Sequence, residues 1–162
     1  MRDNLGEERQ HWMGVLAKTP LRRLEKEWLR LRSKPEYEFL RKPETGAVMV
    51  QGRVGGTGEG FNLGEMTVTR CTVKSSEGST GSAYVMGRSY RHAELAAVFD
   101  ALLQVKRRQA VLKEQVLAPL VAELEAAEKI RARKAAARTK LCASTYHKIT
   151  AFTLGLPRTR NC

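Results

Sequence analysis

The sequence predicts a single α+β domain: an antiparallel, meander-like β-sheet packed by N-terminal and C-terminal α-helices. Three observations carry this. Apolar residues fall three and four apart near both ends of the chain, they alternate with polar residues from Tyr37 to about Met86, and no crossover helix separates the alternating segments. At 162 residues and 18.2 kDa the chain suits one domain with a real core.

Residues 7–18 and 21–32 read as two short amphipathic helices, with Trp12, Val15 and Leu16 on one stripe and Leu21, Leu24, Trp28 and Leu31 on the other. Thr19 is placed to cap the second helix while Pro20 starts it and Pro35 ends it. From Tyr37 the period drops to two. A short strand, a turn at Lys42–Gly46 and a longer strand follow, with Val48, Val50, Gly52 and Val54 on one face and Met49, Gln51 and Arg53 on the other. After a glycine-rich loop, residues 65–75 alternate again, the turn formers of 75–82 intervene, and AYVMG resumes as a strand. Leu95, Val98, Phe99, Leu102 and Val105 then line a helix that should cover the sheet, with Ser89 as its N-cap and Glu94 near its partially positive start. Helical composition continues to about Lys140, interrupted by Pro119, which bends or splits the run into two helices. Residues 1–140 thus make the domain, and 141–162 a basic tail without clear periodicity or any acid.

The net charge is +12, and it is unevenly placed. Residues 43–105 carry 5 basic and 6 acidic groups, against 11 and 7 before them and 13 and 4 after. A near-neutral sheet between basic flanks suits either solvated helix faces or contact with anionic partners. No run approaches a membrane span, the N-terminus lacks the apolar core of a signal peptide, and a cytoplasmic protein is expected. Cys71, Cys142 and Cys162 share no metal spacing, no metal site is expected, and their odd number argues for free thiols.

QGRVGGTGEGFNLGE, residues 51–65, is the most distinctive stretch. A Walker-type loop would need GxxxxGK[ST], and no lysine occurs between residues 43 and 73. The dinucleotide fingerprint also fails, because Phe61 stands where the third glycine should be and no helix follows. What remains is backbone that can take positive φ or approach another chain closely, in a hairpin loop or an anion nest. Arg53, Glu65, Arg70 and Arg88 sit within or beside strands where a long charged side chain needs a partner. Internal pairs, Arg53 with Glu65 or Arg70 with Glu44, compete with guanidinium groups facing a polyphosphate. His92, early in the third major helix, is open to a structural or an acid–base role. His11 and His147 are weaker candidates. The residues alone describe a basic α+β interaction module, with binding of nucleic acid as the competing reading. That alternative draws on a pI of about 10.1 and the RARKAAARTK run, but finds no helix-turn-helix or aromatic RNA-binding strands.

The series ETG (44–46), QGRVGGTGEGFNLGEMTVTRC (51–71), YVMGRSYRHAELAAVFDALLQ (84–104) and APL (118–120), in order and with spacing intact over about residues 9–138, resembles the PhnG family of the bacterial carbon–phosphorus lyase system. The resemblance implies a subunit of a core complex with PhnH, PhnI and PhnJ, joined by PhnL- or PhnK-type ATPase subunits, and two copies in a larger hetero-oligomer. It implies that the complex forms α-D-ribose 1-methylphosphonate 5-triphosphate from ATP and methylphosphonate with release of adenine. It implies no cofactor on this chain, ATP being a substrate of the complex, and no independent activity. The matching positions are Glu44, Arg53, Gly55, Gly56, Thr57, Gly58, Glu65, Arg70, Gly87, Arg88, His92 and Glu94, read as interface or site-shaping residues with His92 and Arg88 as the catalytic candidates. Beyond Lys140 the sequence departs from the family pattern, which puts any subunit contact made there in doubt.

Overall fold

The computed structural model describes residues 3–53 and 58–153, with side chains over 6–53 and 58–138. Its chain forms two units, Met1–Leu124 and Glu125–Cys162. In the first unit, helices α1 (Asp3–Lys18) and α2 (Leu21–Arg30) precede strands β1 (Tyr37–Arg53), β2 (Gly60–Ser75) and β3 (Thr80–Met86). Helices α3 (Tyr90–Leu103) and α4 (Lys106–Leu112) follow, then a π-helical turn, Lys113–Leu117, and the start of α5 (Ala118–Thr153). The strands make one antiparallel sheet in the order β1-β2-β3, the meander that sequence adjacency favours.

The helical stripes behave as their spacing dictates. Trp12, Val15 and Leu16 from α1, Leu24 from α2, and Leu95, Val98, Phe99 and Leu102 from α3 join Val73 and Val85 of the sheet in one buried cluster. The hydroxyl of Thr19 donates to the carbonyl of Val15 at 2.8 Å, so Thr19 closes α1 rather than capping α2, and Pro20 occupies the cap position without a side-chain bond. Ser89 likewise occupies the N-cap position of α3 without making a cap hydrogen bond.

Two features of the sheet differ from expectation. Strand β1 runs unbroken through Lys42–Gly46, where a turn was expected, because register shifts between Phe39 and Arg41 and between Arg41 and Glu44 absorb the irregular residues. Pro43 falls inside the second shift, on an edge strand, where its missing N–H costs no ladder bond. A third shift, between Val50 and Gln51, leaves Leu63 opposite no partner and places Gly64 at φ 150°. The β1–β2 ribbon bends there.

Side-chain alternation gives the sheet two unlike faces. Cys71, Val73, Ala83 and Val85 point at α3 and are buried, and α3 comes so close to β3 that a Cβ on Gly81 would lie 1.9 Å from the carbonyl oxygen of Ala97. The partnered sets Glu44–Arg70–Tyr84, Gly46–Val68–Met86 and Val48–Met66 share the opposite, outer face.

Pro119 splits the C-terminal helical run as expected. The ring would clash with the carbonyl four residues back in a regular helix, and the wider π turn immediately before α5 makes room for it. In the second unit α5 continues as backbone helix to Thr153, and the side chains described there, 125–138, are exposed. Among the described residues no helix is long and apolar enough to cross a membrane.

Candidate functional site

The sequence-selected residues do not converge on one pocket. Glu44 and Arg70, cross-strand partners on the outer face, form an ion pair at 2.6 Å, with Arg41 3.6 Å from the same carboxylate oxygen. This is one of the two internal pairs considered from sequence. The other, Arg53 with Glu65, is not made: Glu65 is paired with Met49 on the face opposite Val48, while Arg53 lies opposite Gly60 and reaches only the carbonyl of Gly58, at 3.5 Å. The register sets Glu65 opposite Met49, four residues along the strand from Arg53, so the two do not meet. Gly55, Gly56 and Thr57 lie outside the described residues.

Gly87 has φ 85°, a conformation glycine adopts without penalty, and it turns the chain from β3 toward α3. The hydroxyl of Thr69, fully buried, fixes this corner by donating to the carbonyl of Gly87 at 2.6 Å and accepting the N–H of Ser89 at 3.1 Å. Arg88 therefore projects from a rigid corner. It is exposed, and among the described residues it makes no hydrogen bond or ion pair.

His92 and Glu94 point the other way, into the protein. His92 is buried and its Nε2 lies 3.0 Å from the carbonyl oxygen of Leu16, so the imidazole ties the end of α1 to α3. That position suits a structural histidine. Glu94 accepts the hydroxyl of Tyr37 at 2.6 Å and pairs with Arg91 at 2.9 Å. Burial, reinforced by the bond to the Glu94 carboxylate, pushes the Tyr37 phenol up to about 12, and burial beside the same carboxylate pushes the Cys71 thiol up to about 11. Both groups stay protonated and unreactive at neutral pH.

Sequence reasoning passed over the most connected side-chain acceptor among the described residues. Asp100, fully buried in α3, accepts from Arg9 at 2.8 and 3.2 Å, from the indole N–H of Trp12 at 2.8 Å and from the backbone N–H of Ser82 at 2.9 Å. The bond to Asp100 holds the Arg9 guanidinium above its ordinary value. One carboxylate thereby joins α1, β3 and α3. The available signal was a lone acid in the otherwise apolar run VFDALL. Among the described residues no group of three or more His, Cys, Asp or Glu side chains could hold a metal ion.

The family model described as phosphonate metabolism protein PhnG matches residues 7–144. The chain belongs to the PhnG family. A relative from Rhizobium meliloti (strain 1021), named alpha-D-ribose 1-methylphosphonate 5-triphosphate synthase subunit PhnG, is 45% identical over 119 residues, 72% of this chain and 76% of that protein. The PhnG match spans both β-ribbon and helices, so the family's defining segment includes the outer sheet face, the Gly87–Arg88 corner and the Asp100 junction.

Proposed function

We propose that this chain is a subunit of an α-D-ribose 1-methylphosphonate 5-triphosphate synthase in phosphonate breakdown, active only as part of an assembly. The observation that carries the reading is the 45% identity, over most of both chains, to a relative named as that subunit. In this reading the partners are PhnH, PhnI and PhnJ with a PhnL- or PhnK-type ATPase subunit, and the assembly exchanges the adenine of ATP for methylphosphonate.

The geometry is consistent with a companion role. Three of the titratable candidates are committed internally: Glu94 to Tyr37 and Arg91, Glu44 to Arg70, His92 to the Leu16 carbonyl. What the chain offers outward is an exposed ribbon, a guanidinium at Arg88 that is unpaired among the described residues, and strong positive charge, features suited to holding neighbouring subunits around an anionic triphosphate.

The test is reconstitution. The chain is co-expressed with the genes for the other subunits, and adenine release from ATP is followed with and without methylphosphonate. Phosphonate-dependent adenine release that disappears when this chain is omitted is the expected result. Full activity without it, or activity from the isolated chain, overturns the proposal.

A further inference from the structure

The outer face of the sheet carries an apolar stripe where solvent should favour polar residues. Met86 is 70% exposed, Leu63 63%, Tyr84 55%, Phe61 46% and Val48 37%, and the register and the bulge place them along one stripe. Phe61 pairs with Gly52, and a Cβ on Gly52 would meet Leu63 at 2.5 Å, so the absent side chain lets Leu63 and Phe61 close over the ribbon. Val50, Val48 and Met66 continue the stripe, and Val68 beneath Met86 is buried without belonging to the α3-side core. At about 3.3 Å per strand residue and about 4.8 Å between strands, the ribbon part alone covers roughly 300 Å². The largest apolar patch on a soluble monomer is commonly of this size and is often functional. At the Tyr84 end the stripe runs into a cleft of about 180 Å³ bordered by Met13, Gly14 and Ala17 of α1, large enough for one anchoring side chain.

The charges around the stripe choose its occupant. Glu44 on this face is already neutralised by Arg70 and Arg41, and Glu38 on the same face is set against Lys74, while Arg88, two residues beyond Met86, has no carboxylate partner among the described residues. A second copy would set these cations against their own kind on a chain of net charge +12. Nucleic acid would leave the apolar centre unburied.

We propose that the outer sheet face from Phe61 and Leu63 to Met86 and Tyr84 is the docking surface for a different protein subunit of the synthase, one that presents an apolar ridge bordered by carboxylates. The inference rests on the synthase-subunit reading. A ridge of this kind buries the stripe at the centre of the interface and pairs a carboxylate with Arg88 at the rim.

Leu63→Asp and Met86→Asp, with Leu29→Asp on the exposed side of α2 as control, are co-expressed as full chains with the other synthase subunits. Recovery of the assembly on a tagged partner is measured, alongside thermal unfolding and oligomeric state of each isolated chain. Wild type and Leu29→Asp are expected to assemble, and the two stripe variants to lose tenfold or more in recovery with unchanged thermal midpoints. If an aspartate variant unfolds, Leu63→Gln and Met86→Gln give the same comparison with less disturbance. Equal recovery of wild type and stripe variants overturns the docking surface and leaves the synthase reading standing. Failure of wild type to assemble brings down the synthase reading itself. An isolated homodimer that only the stripe variants break assigns the face to a second copy and overturns the committed partner.

Discussion

Asp100 concentrates more structural consequence than any residue the motifs pointed to. Replacing it with alanine leaves the Trp12 indole and the Ser82 amide buried without an acceptor and Arg9 without its counter-ion, a loss of about 3–5 kcal/mol, to be read as a lowered denaturant midpoint. Thr45 provides the opposite case. Its hydroxyl is buried without a hydrogen-bond partner, so Thr45→Val is expected to be neutral or to stabilise by about 1 kcal/mol in the same measurement. Tyr37 sets an alkaline limit. Its phenol titrates at about 12 in the folded chain against 10.0 when free. Between those values the native state keeps a proton that the unfolded state has released, so stability falls as pH rises through the window. Urea titrations at a series of alkaline pH values should show that fall in wild type and a flatter profile in Tyr37→Phe. At this scale the sequence was least legible. The Glu44–Arg70 pair could be anticipated because one register sets the two residues opposite each other, but that same register puts Glu65 opposite Met49, four residues from Arg53, and no single residue announces it. His92, Glu94 and Asp100 depend on which way α3 is rotated, which packing against α1 decides.

At the scale of elements, apolar periodicity located α1, α2, α3 and the core-facing parts of the strands, because each must present one apolar stripe or face to a common core, while β1 came out as one strand where two were expected and β2 begins at Gly60, inside the expected glycine loop. Punctuation residues misled where tertiary context outweighs local preference. Pro43 and Gly46 signal a turn, yet an edge strand with two register shifts accommodates both. Thr19 signals a cap, yet its hydroxyl turns back to Val15. Glycines divide in a way only packing reveals. Gly81→Ala drives a methyl group into the α3 backbone and is expected to cost on the order of 3 kcal/mol or more, or to prevent accumulation of folded protein. Gly52→Ala meets side-chain atoms alone, Leu63 above all and the Phe61 ring at 3.4 Å, and the exposed Leu63 can rotate aside, so a loss under about 1 kcal/mol is expected. Thermal unfolding of the pair separates close helix–sheet packing from ribbon packing.

For the molecule as a whole, the buried cluster is drawn from residues between Trp12 and Leu120, with Val121 and Leu124 packed against it. A chain truncated after Lys140 is therefore expected to keep the thermal midpoint of the full protein, a calorimetric comparison that also tests whether the basic tail contributes to folding. The α+β class could be read in advance because it follows from periodicity alone; the uncovered face could not, since alternation does not say whether a sheet is packed on one side or two. That face also sets a chemical clock on any chain left alone. Met86 holds its thioether out to solvent in the middle of the stripe, with Met66 half-sheltered nearby. Peroxide would convert the exposed sulfur to a sulfoxide first, making a greasy spot polar and chiral. A solitary chain thus ages at the place by which it would be recognised, and prompt association would be its protection.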